Sequence, residues 1–299
     1  MNKTISLDES LKEYNEIFLS YRNYALRTRK EYINDISDLI KFLKKNYKIK
    51  NVDSVEKDHL QHYFAYLDKK GLKGVTRRRK AYSIKSFFRY LKSKRYLPTD
   101  ISLSLIPPKR SDKKPRVLTE REYKRLQLAY SHETRDTAII ELLLQTGIRL
   151  SELANLTIDD IELPKKITKD PFNVGSIHII GKGGKERTII LNWKACKAIK
   201  AYLKVRPEVD YKELFITKFG KPIGPIGFQN VIKKYLEEAN IKNASVHTLR
   251  HTFATHQIKK GTNIRVVQEA LGHESLQTTS IYISLARKLM DKELQEHAL

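Results

Sequence analysis

From residue 149 onward, this chain carries two arginines, a lysine, two histidines and a tyrosine, each in a distinctive local context. Arg149 stands in Thr146-Gly147-Ile148-Arg149-Leu150-Ser151-Glu152, and Lys182 in Gly181-Lys182-Gly183-Gly184-Lys185. His247 and Arg250 share His247-Thr248-Leu249-Arg250-His251, His273 follows Leu271-Gly272, and Tyr282 comes nine residues after His273. Taken singly, each has a plain reading. An arginine after a helix is a surface cation, a lysine at a hairpin tip is solvated, and a tyrosine between Ile281 and Ile283 is core. Together the six side chains fit one chemistry, a phosphodiester held by cations and attacked by a phenol. Planar guanidinium forks bind non-bridging oxygens, histidines donate to phosphate or carry protons, and lysine protonates a basic leaving oxygen. A free phenol titrates near about 10, so the nucleophile needs help. Neighbouring cations are expected to supply that help by favouring phenolate. With cations stabilising the charge, the chemistry calls for no metal and no other cofactor.

The overall charge points the same way. Lys and Arg number 58 against 34 Asp and Glu, a net +24, which makes an anion the expected partner. A membrane surface is the competing anion, but no apolar run reaches the roughly 18 residues that span a bilayer. The start, Met1-Asn2-Lys3-Thr4-Ile5-Ser6, carries no apolar signal region, and the single cysteine, Cys196, suits a reducing compartment. A cytoplasmic, nucleoid-associated location is the expectation. The glycine-rich segment at 181–184 lacks the Gly-x-x-x-x-Gly-Lys-Ser/Thr order of a phosphate-cradling loop, so nucleotide hydrolysis has little support. His251 and His256 raise a metal reading, but no His-Glu-x-x-His pattern is present and one cysteine cannot build a thiolate cluster.

At this length two domains are expected. Residues 1–104 read as four helices. Thr28 followed by Glu31 has capping-box form, and Tyr32, Ile36, Leu39, Ile40 and Leu43 repeat at helical spacing. The fourth helix lies in a stretch from Asp68 to Asp100 that holds twelve Lys and Arg and no acidic residue between them. A solvated face usually mixes signs, so Arg77, Arg78, Arg79, Lys80, Lys85 and Arg89 are read as DNA contacts. Residues 105–117, with three prolines and five cations, read as a linker. In residues 118–299, Leu118-Thr119-Glu120 opens a helix, Gly147 suits a helix C-cap, and residues 158–191 read as sheet. There Ile177–Ile180 and Thr188–Leu191 flank a hairpin turn. The fold class expected is mostly α with a small antiparallel β-sheet. His247 and Arg250 fall on one helical face, and Glu152 is placed to orient Arg149 as a bidentate partner.

The combination resembles the tyrosine recombinase (phage integrase) family, most closely its Xer-type members. The resemblance covers nearly the whole chain and is carried by Thr146–Leu153, Gly181-Lys182-Gly183, His247–His256, Leu271-Gly272-His273 and Tyr282. It implies a helical core-binding domain and an α+β catalytic domain that clamp duplex DNA at a specific recombination site. Arg149 and Arg250 would hold the scissile phosphate, His247 and His273 assist, Lys182 serve as general acid and Tyr282 as nucleophile, with Glu152 supporting. A covalent 3′-phosphotyrosine would form and a 5′-hydroxyl leave, without metal or ATP. Four protomers would act on two sites, joined through the tail carrying Leu285, Leu289 and Leu294. Residues 163–173 lengthen the path from Arg149 to Lys182 relative to compact members, which makes Lys185 the alternative proton donor. Because the helical pattern begins near residue 6, no arm-binding domain is expected. Chromosome dimer resolution, mobile-element integration or excision, and inversion remain open, as does the need for a paralogous recombinase or accessory protein. Two other readings share these residues: a type IB topoisomerase, which relaxes DNA of any sequence, and a DNA-binding protein that does not cut.

Overall fold

The computed structural model describes residues 4–109, 115–181, 184–272, 279, 281–287 and 290. The chain divides into two compact units, residues 1–113 and 114–299. Among the described residues no helix is long and apolar enough to cross a membrane.

In the first unit, Ser6 caps α1 (Leu7–Glu13) by a reciprocal bond with Glu9, and a π-helical turn, Tyr14–Leu19, continues it. Three longer helices follow: α2 (Leu26–Tyr47), α3 (Lys57–Lys69) and α4 (Gly74–Ser93). Ile36, Leu39, Ile40 and Leu43 of α2 are buried against Leu60 and Tyr63 of α3 and Ile84, Phe87, Phe88 and Leu91 of α4. The core therefore follows the helical spacing of its apolar residues. The expected cap at Thr28 is corrected. Helix α2 starts at Leu26 with Ala25 at its N-cap and no side-chain cap. Arg29 instead fixes the entry, its Nε donating to Tyr24 O at 2.8 Å and its Nη1 to Ser20 Oγ at 2.9 Å.

The reading of α4 is corrected as well. Its cations are not left to repel each other, because carboxylates distant in sequence meet them in space. Arg77 pairs with Asp68 at 2.6 Å, and Arg79 with Glu31 at 2.7 Å and Asp35 at 2.6 Å. Lys80 pairs with Asp35 at 3.0 Å and Asp38 at 2.8 Å, and Ser83 Oγ donates to Asp35 at 2.8 Å. The Asp35 side chain is 1% exposed and that of Lys80 7%, so the charge of Lys80 is met by carboxylates inside its own domain. Arg78 donates to Pro108 O at 2.8 Å and lies over the Tyr82 ring, Lys85 reaches Leu103 O at 3.4 Å, and Arg89 is exposed.

In the second unit Thr119 caps α5 (Glu120–Tyr130) in a capping box with Glu122. The apolar α6 (Thr134–Thr146) ends at Gly147, whose φ of +63° is the left-handed conformation glycine adopts without cost. After α7 (Leu150–Asn155) come β1 (Ile161–Glu162), β2 (Gly175–Ile180) and β3 (Glu186–Leu191), antiparallel in that order. Ile177 of β2 faces both Ile161 and Ile189. The segment between β1 and β2, expected as sheet, runs as loop. Leu163 and Ile167 pack on the core, and Asn173 Nδ2 donates to Lys166 O at 2.6 Å. Helices α8 (Trp193–Leu203), α9 (Pro225–Glu238), α10 (Val246–Lys259) and α11 (Ile264–Leu271) complete the regular elements, with residues 281–287 also helical. The main core lies among α6, the sheet and α8, where Cys196 is fully buried. A smaller cluster of Phe253, Ala254, Val267, Leu271 and Tyr282 joins α10, α11 and the 281–287 helix.

Candidate active site

Two glycine-terminated helices build the centre of this site. A helix end leaves carbonyl oxygens without partners and carries the negative pole of the helix dipole, so it favours cations. Here the cations are arginines. Arg250, in the middle of α10, donates from Nη1 to Gly147 O at 2.6 Å and from Nη2 to Leu271 O at 2.7 Å. Arg149, at the N-cap of α7, donates from Nη2 to Gly272 O at 2.6 Å. A third arginine, Arg187 of β3, donates from Nε to Ala270 O at 3.1 Å. Three successive carbonyls at the end of α11 thus receive three arginines. Gly272 ends α11 at a φ of +61°, and a Cβ there would stand 3.0 Å from Arg187 Cζ and 3.2 Å from Arg149 Nη1. Conformation and space together require glycine.

Glu152 ties two of these arginines together. The bidentate fork expected from Arg149 comes instead from Arg187, whose Nη1 and Nη2 bond Oε1 at 3.0 Å and Oε2 at 2.8 Å. Arg149 adds one guanidinium bond, Nη1 to Oε1 at 2.8 Å, and its backbone N–H donates to Oε2 at 2.8 Å. Burial alone would raise the Glu152 carboxyl, but hydrogen bonds from Arg187 and Arg149 outweigh it and hold the group below its usual value. Arg250 is pushed down to about 10, first by burial and then by the like charge of Arg149. It still carries its proton at neutral pH.

Tyr282 sits against this cluster, 1% exposed, with its hydroxyl 2.9 Å from Nδ1 of His251. Burial raises its pKa, and the opposing field of Arg250 does not cancel the effect. The expectation that nearby cations favour phenolate is therefore reversed in this state of the protein: desolvation outweighs the cations and the phenol keeps its proton. His247, in the first turn of α10, is exposed, and its ring lies 6.5 Å from that of His251. Lys182 and His273 lie outside the described residues. Gly181 N donates to Lys185 O at 2.7 Å, and Lys185 itself is exposed.

Of the expected set, the structure brings together Arg149, Glu152, Arg250 and Tyr282. It adds two residues that sequence reasoning did not select. Arg187 had a signal: it shares the inward register of β3 with Ile189 and Leu191, where a cation needs a buried partner. His251 had one too, since it follows Arg250 directly and lies one turn beyond His247.

Residues 116–288 match the phage integrase family, and residues 11–95 match the phage integrase N-terminal SAM-like domain. The chain is 36% identical over 314 residues to tyrosine recombinase XerC of Caldanaerobacter subterraneus subsp. tengcongensis, covering 94% of this chain and 86% of the relative. It is 34% identical over 295 residues to tyrosine recombinase XerD of Bifidobacterium longum, covering 92% of each. Its fold is similar to that of the XerH site-specific recombinase in a post-cleavage complex with palindromic difH substrate. The TM-score is 0.77 at 21% identity, over 95% of this chain and 83% of that one. By its sequence, its two matched domains and its fold, the chain belongs to the phage integrase family and is a tyrosine-type site-specific recombinase of the Xer kind.

Proposed function

We propose that this recombinase cuts and rejoins duplex DNA at a specific site through a covalent 3′-phosphotyrosine on Tyr282. The observation that carries the reading is the convergence of Arg149 and Arg250 on the glycine-capped end of α11, in one cluster with Tyr282. Two fixed guanidinium groups suit a phosphate whose non-bridging oxygens gain charge during transfer. Arg149 and Arg250 hold that phosphate, held in turn by Glu152 and by backbone carbonyls. His247 and His273 add hydrogen bonds, and Lys182 protonates the departing 5′ oxygen. Because Tyr282 is buried and protonated in the free protein, the reaction requires DNA to draw the phenol toward the phosphate. Residues 1–104 act as the core-binding domain and 118–299 as the catalytic domain, joined by 105–117. The exposed Arg89, together with Arg77, Arg78, Arg79 and Lys85, faces the DNA backbone. Four protomers assemble on two sites through the C-terminal tail, for chromosome dimer resolution or for integration and excision of a mobile element. The relatives named XerC and XerD and the DNA-bound XerH support this reading.

The test is a covalent trap. Nicked fragments of host DNA are incubated with wild type and with Tyr282→Phe, and adducts that survive denaturant are sequenced. Wild-type-only adducts at one recurring sequence are expected. Adducts scattered over all sequences would favour a topoisomerase, and adducts formed equally by Tyr282→Phe would remove Tyr282 from its role.

A further inference from the structure

A phenol that attacks phosphorus must lose its proton, and the buried Tyr282 hydroxyl has a ring nitrogen against it. His251 Nδ1 lies 2.9 Å from Oη, with the two ring centroids 5.6 Å apart. This contact belongs to the interior: Tyr282 is in the small apolar cluster and His251 is half-buried on α10. Among the described residues, the charged and titratable groups that face His251 are His247 and Arg250 on its own helix and Tyr282 across the contact. Burial first, then the charge interactions with His247 and Arg250, push the imidazole down to about 4, so it is neutral at physiological pH. A neutral imidazole facing a protonated phenol accepts, which assigns the hydrogen to the phenol and the ring proton to Nε2.

We propose that His251 is a catalytic residue, the general base that takes the Tyr282 proton during strand cleavage and returns it during rejoining. The proposal rests on Tyr282 being the nucleophile. In cleavage the Oη–H bond breaks and its proton passes to Nδ1, while Oη bonds to phosphorus. The P–O5′ bond breaks, and its electron pair leaves on the 5′ oxygen, which takes a proton from the general acid. In rejoining, an incoming 5′-hydroxyl gives its proton to the conjugate base of the general acid and displaces Tyr282 from phosphorus, and the departing phenolate recovers its proton from His251. A scissile phosphate held by Arg149 and Arg250 brings negative charge beside His251. Its proton affinity rises when the proton must be accepted, and an imidazolium is disfavoured when no DNA is bound.

The experiment uses full-length protein and the site recovered by the trap, as a nicked duplex in two forms. One carries the natural phosphodiester and the other a bridging sulfur at the 5′ position, whose thiolate leaves without a proton. His251→Ala and His251→Asn are compared with Lys182→Ala, and Tyr282→Phe serves as the blank. Asparagine keeps a hydrogen-bonding atom near the Nδ1 position but takes no proton. The result expected is that both His251 variants bind DNA as wild type does and cleave on the order of 10²–10⁴-fold more slowly. Sulfur should not rescue them, whereas it should rescue Lys182→Ala. Their rates should also climb with pH, as hydroxide replaces the missing base. His251→Asn cleaving at the wild-type rate would overturn the base role, and so would rescue of either His251 variant by sulfur. Absence of adducts with wild-type protein itself would sink the Tyr282 reading, and the base with it. Normal wild-type adducts beside unaffected His251 variants would sink only the base.

Discussion

Glu152→Ala should unseat the arginine cluster and destabilise the second unit by about 3–5 kcal/mol, the range for removing one partner of a buried ion pair. The figure follows from what each partner loses. Arg187, whose side chain is 11% exposed, loses both bonds of its fork and, among the described residues, keeps only Ala270 O, so a desolvated charge is left largely uncompensated. The backbone N–H of Arg149 loses its acceptor, at a cost of roughly 1 kcal/mol typical of a lost N-cap bond. The Arg149 guanidinium, with its side chain 37% exposed, is rehydrated and adds little. Arg187→Ala should cost less, about 2 kcal/mol, because Glu152 retains Arg149 and its backbone bond. The double variant should then be more stable than the sum of the singles by about 1–3 kcal/mol. Urea unfolding followed by Trp193 fluorescence reads this directly, since Trp193 is the chain's single tryptophan and opens α8 in the same unit. Cleavage should fall by on the order of 10²–10³ as Arg149 loses its orientation. A Glu152→Ala protein within about 1 kcal/mol of wild type, or singles that simply add, would refute the argument that this carboxylate organises the site.

Four further outcomes follow from other residues. Gly147→Ala should lower the melting temperature and disturb Tyr282. The residue would enter at a φ of +63° with its Cβ 2.5 Å from Phe253 Cδ1, and left-handed strain alone is about 1–2 kcal/mol. Lys80→Met should destabilise the first unit, measured by calorimetry, because Asp35 loses a buried partner. Arg89→Ala should leave stability unchanged but reduce the salt dependence of DNA binding by about one charge. Finally, the His251 value of about 4 in the folded protein lies below the roughly 6.5 of an unfolded histidine. Between those values the unfolded chain binds the extra proton, so stability is fully present above about 6.5 and falls as pH drops toward 4. Urea midpoints measured against pH should show this limb in wild type and lose it in His251→Asn; identical limbs would assign it to another group.

The side chains that meet at the site could be picked out from the sequence. Arg149, Glu152, Arg250 and Tyr282 could be named from type, order and spacing. What holds them was not legible, because the acceptors are the backbone oxygens of Gly147, Ala270, Leu271 and Gly272, and every residue type carries such an oxygen. The two glycines that end α6 and α11 were the only local trace of those helix ends. Helix α4 failed in the opposite sense. Its run of cations was plain, but Glu31, Asp35 and Asp38 lie more than forty residues earlier, and linear charge patterning does not reveal such partners. Burial also reversed the reading of Tyr282. The cation expected to ionise the phenol is present, but the apolar cluster that encloses the ring was assembled from three separate segments.

The three carbonyls at the end of α11 mean that part of this active site is encoded by a length and not by a residue. Replacing the side chain of Ala270 or Leu271 leaves its carbonyl in place, so point changes there act through packing and not through the ligands to the arginines. Inserting or deleting a single residue within Ile264–Leu271 is a different event. Each residue turns a helix by about 100° and advances it by about 1.5 Å. Ala270, Leu271 and Gly272 would swing away together, and Arg187, Arg250 and Arg149 would lose their seats at once. The helix acts as a spacer whose residue count sets the phase of the site. Substitution in this stretch is limited by the packing of Val267 and Leu271, whereas single-residue gain or loss moves every seat together.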